Sequence, residues 1–90
     1  MYEVVPSARF RRDYKLAVKR GCNMKLLQEV VDILAAGEML DAKYRDHALS
    51  GNFNGVRECH ISPDWLLLYD INGTELALLL LRTGTHSDIF

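Results

Sequence analysis

An α+β fold in one domain, residues 1–90, is predicted from three observations. Two helix-periodic segments follow one another between residues 8 and 36, and three strand-like runs separated by turn signals fill residues 56–82. A short β-rich run, Tyr2-Glu3-Val4-Val5, precedes them all. The order β-α-α-β-β-β implies a helical pair packed on one face of a small antiparallel sheet, which the first strand joins after the chain crosses over the helices. Ninety residues leave no room for a second core.

Pro6 stops the first strand, and Ser7 can cap a helix from about Ala8 to Arg20 by accepting an orphan backbone N–H. Phe10, Tyr14, Ala17 and Val18 follow i, i+4, i+7, i+8 and are read as its buried stripe. Gly21 suits the left-handed end of that helix. Asn23 then caps a second helix to about Ala36, with Leu27, Val30, Val31 and Leu34 inward, and Gly37 ends it. Residues 38–54 keep neither period; so long an irregular stretch in a small domain is usually functional or mobile. Gly51-Asn52-Phe53-Asn54-Gly55 is a turn signal. Strands are predicted over Val56–Ile61, Trp65–Ile71 and Glu75–Arg82, joined by Ser62-Pro63-Asp64 and by an Asn72-Gly73 hairpin turn. The unbroken apolar run Leu76–Leu81 marks a strand near the sheet centre.

The balance of 49% hydrophobic and 26% charged residues is that of an ordinary globular chain. No apolar stretch approaches the roughly 20 residues of a membrane helix, and the first residues lack the pattern of a signal peptide. Cys22 and Cys59 form no CxxC and are too few for a disulfide framework, so a reduced, cytoplasmic setting is expected. The net charge of -1 hides an asymmetry. Residues 1–25 carry seven basic side chains against two acidic ones, and the remainder four against ten. A basic segment of this kind, with Arg11, Lys15 and Lys19 off the apolar stripe, is read as a polyanion-binding face.

The three histidines each lie beside other catalytic-type side chains. His47 closes Tyr44-Arg45-Asp46-His47, His60 precedes Asp64-Trp65 by four residues, and His86 follows Arg82. In an isolated strand His60 shares a face with Val56 and Glu58. Cleavage of RNA requires a base for the 2′-hydroxyl proton, an acid for the 5′-oxygen and a cation for the crowded phosphate. Two histidines and an arginine supply these without metal, and Trp65 or Phe90 are candidates to stack on bases. Each residue also has a structural alternative: a packing aromatic at Trp65, a turn cap at Asp64, a loop cation at Arg45, or an ion pair from Arg82 to Asp64 or Asp88. His60, Asp64 and His86 form an alternative metal set, but no HExxH-like signature supports it, and neither a metal nor another cofactor is expected.

Tyr44-Arg45-Asp46-His47-Ala48-Leu49-Ser50-Gly51, Arg57-Glu58-Cys59-His60-Ile61-Ser62-Pro63-Asp64-Trp65-Leu66-Leu67-Leu68-Tyr69 and Arg82-Thr83-Gly84-Thr85-His86-Ser87 together resemble the YafQ-type branch of the RelE superfamily, the toxins of bacterial type II toxin–antitoxin systems. The resemblance spans essentially the whole chain, from the basic first helix to Phe90. It implies a RelE-like fold and a ribosome-dependent mRNA endonuclease acting in the 30S A site without metal, so inhibiting translation. It also implies neutralisation by a cognate antitoxin, with contact to DNA only through the antitoxin complex. The resemblance carries catalytic roles onto His47, His60, Asp64, Arg82 and His86. His86 is then the acid, His60 or His47 the base, Arg82 the phosphate cation and Asp64 the residue that orients a histidine or shapes the pocket. Trp65 and Phe90 pack the site or stack on mRNA, while Arg45, Arg11, Lys15 and Lys19 contact RNA. A gyrase-directed toxin of the same fold, or a regulatory module that only binds antitoxin, is the alternative; neither needs three placed histidines.

Overall fold

The computed structural model describes residues 1–90. Its elements are β1 (Glu3–Pro6), α1 (Ala8–Lys19), α2 (Met24–Ala35), β2 (His47–Ala48), β3 (Arg57–Ser62), β4 (Trp65–Asn72), β5 (Ala77–Gly84) and α3 (His86–Ile89), with 3-10 turns at Ala42–Tyr44 and Gly51–Phe53. The sheet order is β1-β5-β4-β3-β2. β1 runs parallel to β5, and every other pairing is antiparallel. The helical hairpin and the strand meander are those expected from the sequence, and the long apolar run forms β5, next to the central strand.

Local chemistry explains the helix ends. Ser7 accepts the Phe10 N–H at 2.9 Å, and Asn23 accepts the Lys25 N–H at 3.2 Å. Gly21 and Gly37 both take φ 79°, where a side chain would be strained. Leu27, Val30, Val31 and Leu34 are buried as predicted. The stripe of α1 differs: Phe10 and Ala17 are buried, but Tyr14 and Val18 are exposed. The inward face of α1 is instead Ser7, Phe10, Asp13 and Ala17, because the helix runs along the β5 edge that β1 leaves open. There Ser7 Oγ donates to the Leu81 carbonyl at 2.9 Å, and Asp13 accepts the Thr83 N–H at 3.1 Å.

Phe10, Ala17 and the α2 stripe pack on Cys59, Ile61, Trp65, Leu67, Tyr69, Leu78 and Leu80 to form the core. Cys22 and Cys59 are both free thiols, and burial pushes the Cys59 thiol up to about 12.

Two turns differ from expectation. Asn72 and Ala77 are paired across β4 and β5, so four residues, not the Asn72-Gly73 pair, make the connection. The Asn72 side chain accepts the Thr74 and Glu75 N–H groups, and Leu76 takes the left-handed conformation (φ 54°) that starts the strand. The irregular stretch 38–54 is ordered by one local cap and by side-chain bonds to the sheet. Asp41 caps the first 3-10 turn by accepting the Lys43 N–H at 3.0 Å. Asp46 anchors the following segment, accepting from the Tyr69 hydroxyl and from Arg57 Nη2 at 3.0 Å. No helix is long and apolar enough to cross a membrane.

Candidate active site

The helices cover the face of β3 and β4 that carries Cys59, Ile61, Trp65, Leu67 and Tyr69. The opposite face carries the chemistry. Leu66 and Leu68 pair directly with His60 and Glu58 and form a buried apolar floor beside them. Register then brings in β2, where His47 pairs with Glu58. The β3–β4 turn supplies Asp64, the start of α3 supplies His86, and its C-terminal end supplies Phe90.

These placements gather three imidazole rings. Ring centroids of His47 and His60 lie 6.5 Å apart, and those of His60 and His86 lie 5.8 Å apart. Phe90 continues the series at 6.3 Å from His86 and packs edge-to-face on Phe53 at 5.1 Å. Glu58 sits between the first two rings, with one oxygen 3.4 Å from Nε2 of His47 and 3.4 Å from Nε2 of His60. It is only 4% exposed, so this carboxylate acts at short range with little water between. Glu58 was not singled out from sequence; the available signal was an acid inside an otherwise buried strand, two residues before a candidate histidine.

Hydrogen bonds set the roles open to each ring. Nδ1 of His47 lies 2.7 Å from the Arg45 carbonyl, which can only accept, so Nδ1 carries the proton and the neutral ring keeps its lone pair on Nε2. Nδ1 of His86 faces the Asp64 carboxylate at 3.0 Å, and the same oxygen accepts the His86 backbone N–H at 3.2 Å. These two bonds hold the Asp64 carboxyl below its ordinary range and leave Nε2 of His86 free. His60 is mostly buried, and its Nδ1 has no partner.

The remaining predicted residues separate. Arg82 pairs with neither Asp64 nor Asp88 side chain but with Asp13, through Nε at 2.7 Å and Nη2 at 3.3 Å. Asp88 is taken by Arg20 at 2.6 Å and by the Thr85 N–H, which together hold its carboxyl well below the usual range and pin α3 to α1. Trp65 is 8% exposed, with its indole N–H donating to Thr83 Oγ1 at 2.9 Å. Its ring is core, so base stacking is not open to it, and packing is its place. Arg45 stands exposed in the left-handed conformation (φ 52°) at the site's margin. Arg11, Lys15 and Lys19 are exposed along α1.

Donor atoms of Glu58, His60 and His86 lie within 4.8 Å of one another. Two imidazoles and a carboxylate suit zinc or copper, so this trio is the set that could hold an ion, with Glu58 in the place that sequence gave to Asp64.

A helical hairpin behind the sheet and an imidazole–carboxylate cluster before it define a small α+β protein equipped for acid–base chemistry on one sheet face. The model of the family described as the bacterial toxin of type II toxin–antitoxin system, YafQ, matches residues 2–90. The chain belongs to this family. It is 39% identical over 85 residues to the mRNA interferase toxin YafQ of Escherichia coli strain K12, covering 93% of this chain and 90% of that one. A metal-bound toxin from Helicobacter pylori superimposes with TM-score 0.94 at 44% identity over 100% of both chains. YafQ in the E. coli DinJ–YafQ complex superimposes with TM-score 0.91 at 35% identity, covering 100% of this chain and 99% of that one.

Proposed function

We propose that this toxin is a ribosome-dependent mRNA endonuclease that cuts in the A site by histidine acid–base catalysis and so stops translation. The observation that carries the reading is the row of three imidazoles around buried Glu58, with Asp64 tied to His86. The lone pair of His47 Nε2, beside Glu58, takes the 2′-hydroxyl proton. The 2′-oxygen then attacks the adjacent phosphorus, and Glu58 stabilises the imidazolium so formed. Arg82 offsets the charge that grows on the phosphate. His86, held through Nδ1 by Asp64, delivers a proton from Nε2 to the departing 5′-oxygen. The products are a 2′,3′-cyclic phosphate, which opens to a 3′-phosphate, and a 5′-hydroxyl.

Between the two candidate bases, exposure favours His47: its side chain is 49% exposed, whereas that of His60 is 13% exposed. His60 then keeps its Nε2 against the Glu58 carboxylate at 3.4 Å and orients it. Phe90, exposed beside His86, offers a ring for a base to stack on, and Arg45 a cation at the rim. Arg11, Lys15 and Lys19 give α1 a basic face for ribosomal RNA, and position rather than net charge governs such binding. A cognate antitoxin, as DinJ is for the E. coli relative, neutralises the toxin, with any DNA contact made by the complex. Mapping product ends after cleavage on programmed ribosomes tests the chemistry. A 5′-hydroxyl and a cyclic or 3′-phosphate are expected; a 5′-phosphate would exclude attack by the 2′-oxygen.

A further inference from the structure

We propose that Asp13, on the helix behind the sheet, is a positioning residue that holds the Arg82 guanidinium at one orientation towards the scissile phosphate; this rests on the nuclease reading above. Arg82 rises from an irregular point in β5, where Leu68 pairs with Arg82 but Tyr69 pairs with Leu80, leaving Leu81 as the extra residue. Bulges of this kind re-aim a side chain. The redirected guanidinium meets Asp13 side-on through Nε at 2.7 Å and Nη2 at 3.3 Å, and Nη2 also reaches the Asp88 carbonyl at 3.4 Å. Asp13 is itself fixed, since the oxygen that takes Nε also accepts the Thr83 N–H at 3.1 Å. The Asp13 side chain is 11% exposed and that of Arg82 is 20% exposed, so water competes weakly for either.

The consequence is chemical. Of the three guanidinium nitrogens, Nε and Nη2 are engaged within the chain, and Nη1 alone has no partner there. Arg82 therefore approaches a phosphate through one nitrogen with its rotamer already set, rather than through a two-nitrogen fork chosen on binding. Fixing a charge in advance of the transition state is where electrostatic catalysis gains most, because little reorganisation remains at the moment of reaction.

Asp13→Asn keeps the size of the side chain and an oxygen for the Thr83 N–H while removing the charge and one guanidinium acceptor. Three measurements on the full chain decide the matter. Single-turnover cleavage on programmed ribosomes should fall about 10- to 100-fold with little change in ribosome affinity, as expected for a misplaced catalytic group. In an Arg82→Ala background the same substitution should cost less than twofold, since Asp13 acts through Arg82. The Arg82 Nε–H resonance should be sharp and slowly exchanging in the wild type, and should shift and exchange faster in Asp13→Asn. An equal loss of activity in both backgrounds, or no loss in either, would overturn the proposal, as would an unmoved Nε–H resonance. A wild type that cuts nothing would count against the nuclease reading, and the orientation of Arg82 would then stand or fall on the resonance alone.

Discussion

Glu58→Gln isolates the electrostatic part of the proposed mechanism. The substitution is nearly isosteric and keeps an oxygen and an amide between His47 and His60, so it removes charge with little change of shape. At 3.4 Å, an ion pair is worth about 5 kcal/mol at an effective dielectric of 20 and about 1 kcal/mol in bulk water. Glu58 is buried and His47 about half exposed, so the stabilisation of imidazolium lies between these limits, about 2–3 kcal/mol. That stabilisation exists only once His47 has taken the proton, so it belongs to the transition state and is lost from the rate rather than from binding. The rate should fall about 30- to 150-fold. The assay is single-turnover cleavage of a defined mRNA on programmed ribosomes, with thermal unfolding as a control for the fold. A rate within twofold of wild type, in a protein of unchanged Tm, would refute the role of Glu58.

Other consequences concern the supports of the site. Tyr69→Phe leaves Asp46 without its hydroxyl partner, a bond to a charged group worth about 1.5–3 kcal/mol, so Tm should drop by roughly 10 °C; a drop under 2 °C would remove Tyr69 as the anchor of the segment before His47. Reversing Lys15 and Lys19 to Glu should weaken ribosome binding at least tenfold and flatten its salt dependence, while antitoxin binding is largely kept; unchanged ribosome binding would refute the basic α1 face. The carboxyl of Asp88 is held well below its ordinary range by the bond from Arg20 and by the Thr85 N–H. Its contribution to docking of α3 is therefore complete above the ordinary carboxylate pKa of about 4 and is lost as pH falls through the lowered value. Exchange of the Asp88 and Phe90 amides should be flat from pH 7 to 5 after correction for intrinsic rates and should accelerate only well below that; loosening near pH 6 would contradict it.

The legible parts of the sequence were those with local causes. Helix caps, the left-handed glycines, the α2 stripe and the Ser62-Pro63-Asp64 turn each depend on residues a few positions apart, and the structure keeps them. The motifs around His47, His60 and His86 also pointed to residues that meet in space. What escaped was set by partners far along the chain. The apolar spacing puts Tyr14 and Val18 inward, as for a helix that buries a stripe on a sheet, yet α1 lies along an open strand edge, where Asp13 gains bonds to Arg82 and the Thr83 N–H. Arg82 and Asp13 are 69 residues apart, and no local pattern couples them. β2 is two residues long, too short for any period to register, although it brings His47 to Glu58. Trp65, by residue type more often a core or edge aromatic than a base platform, is core, with its indole N–H on Thr83.

The central claim is that a histidine held by Asp64 performs acid–base cleavage of mRNA on the ribosome. It is tested most directly by comparing wild type and His86→Ala on mRNA programmed into purified ribosomes, at constant Mg2+ and with a transition-metal chelator such as 1,10-phenanthroline present throughout. The account predicts A-site cuts by the wild type and a loss of at least 100-fold in the variant, whose Tm stays near that of wild type because His86 is exposed. Full cleavage by a well-folded His86→Ala variant, or wild-type cleavage abolished by the transition-metal chelator, would contradict it.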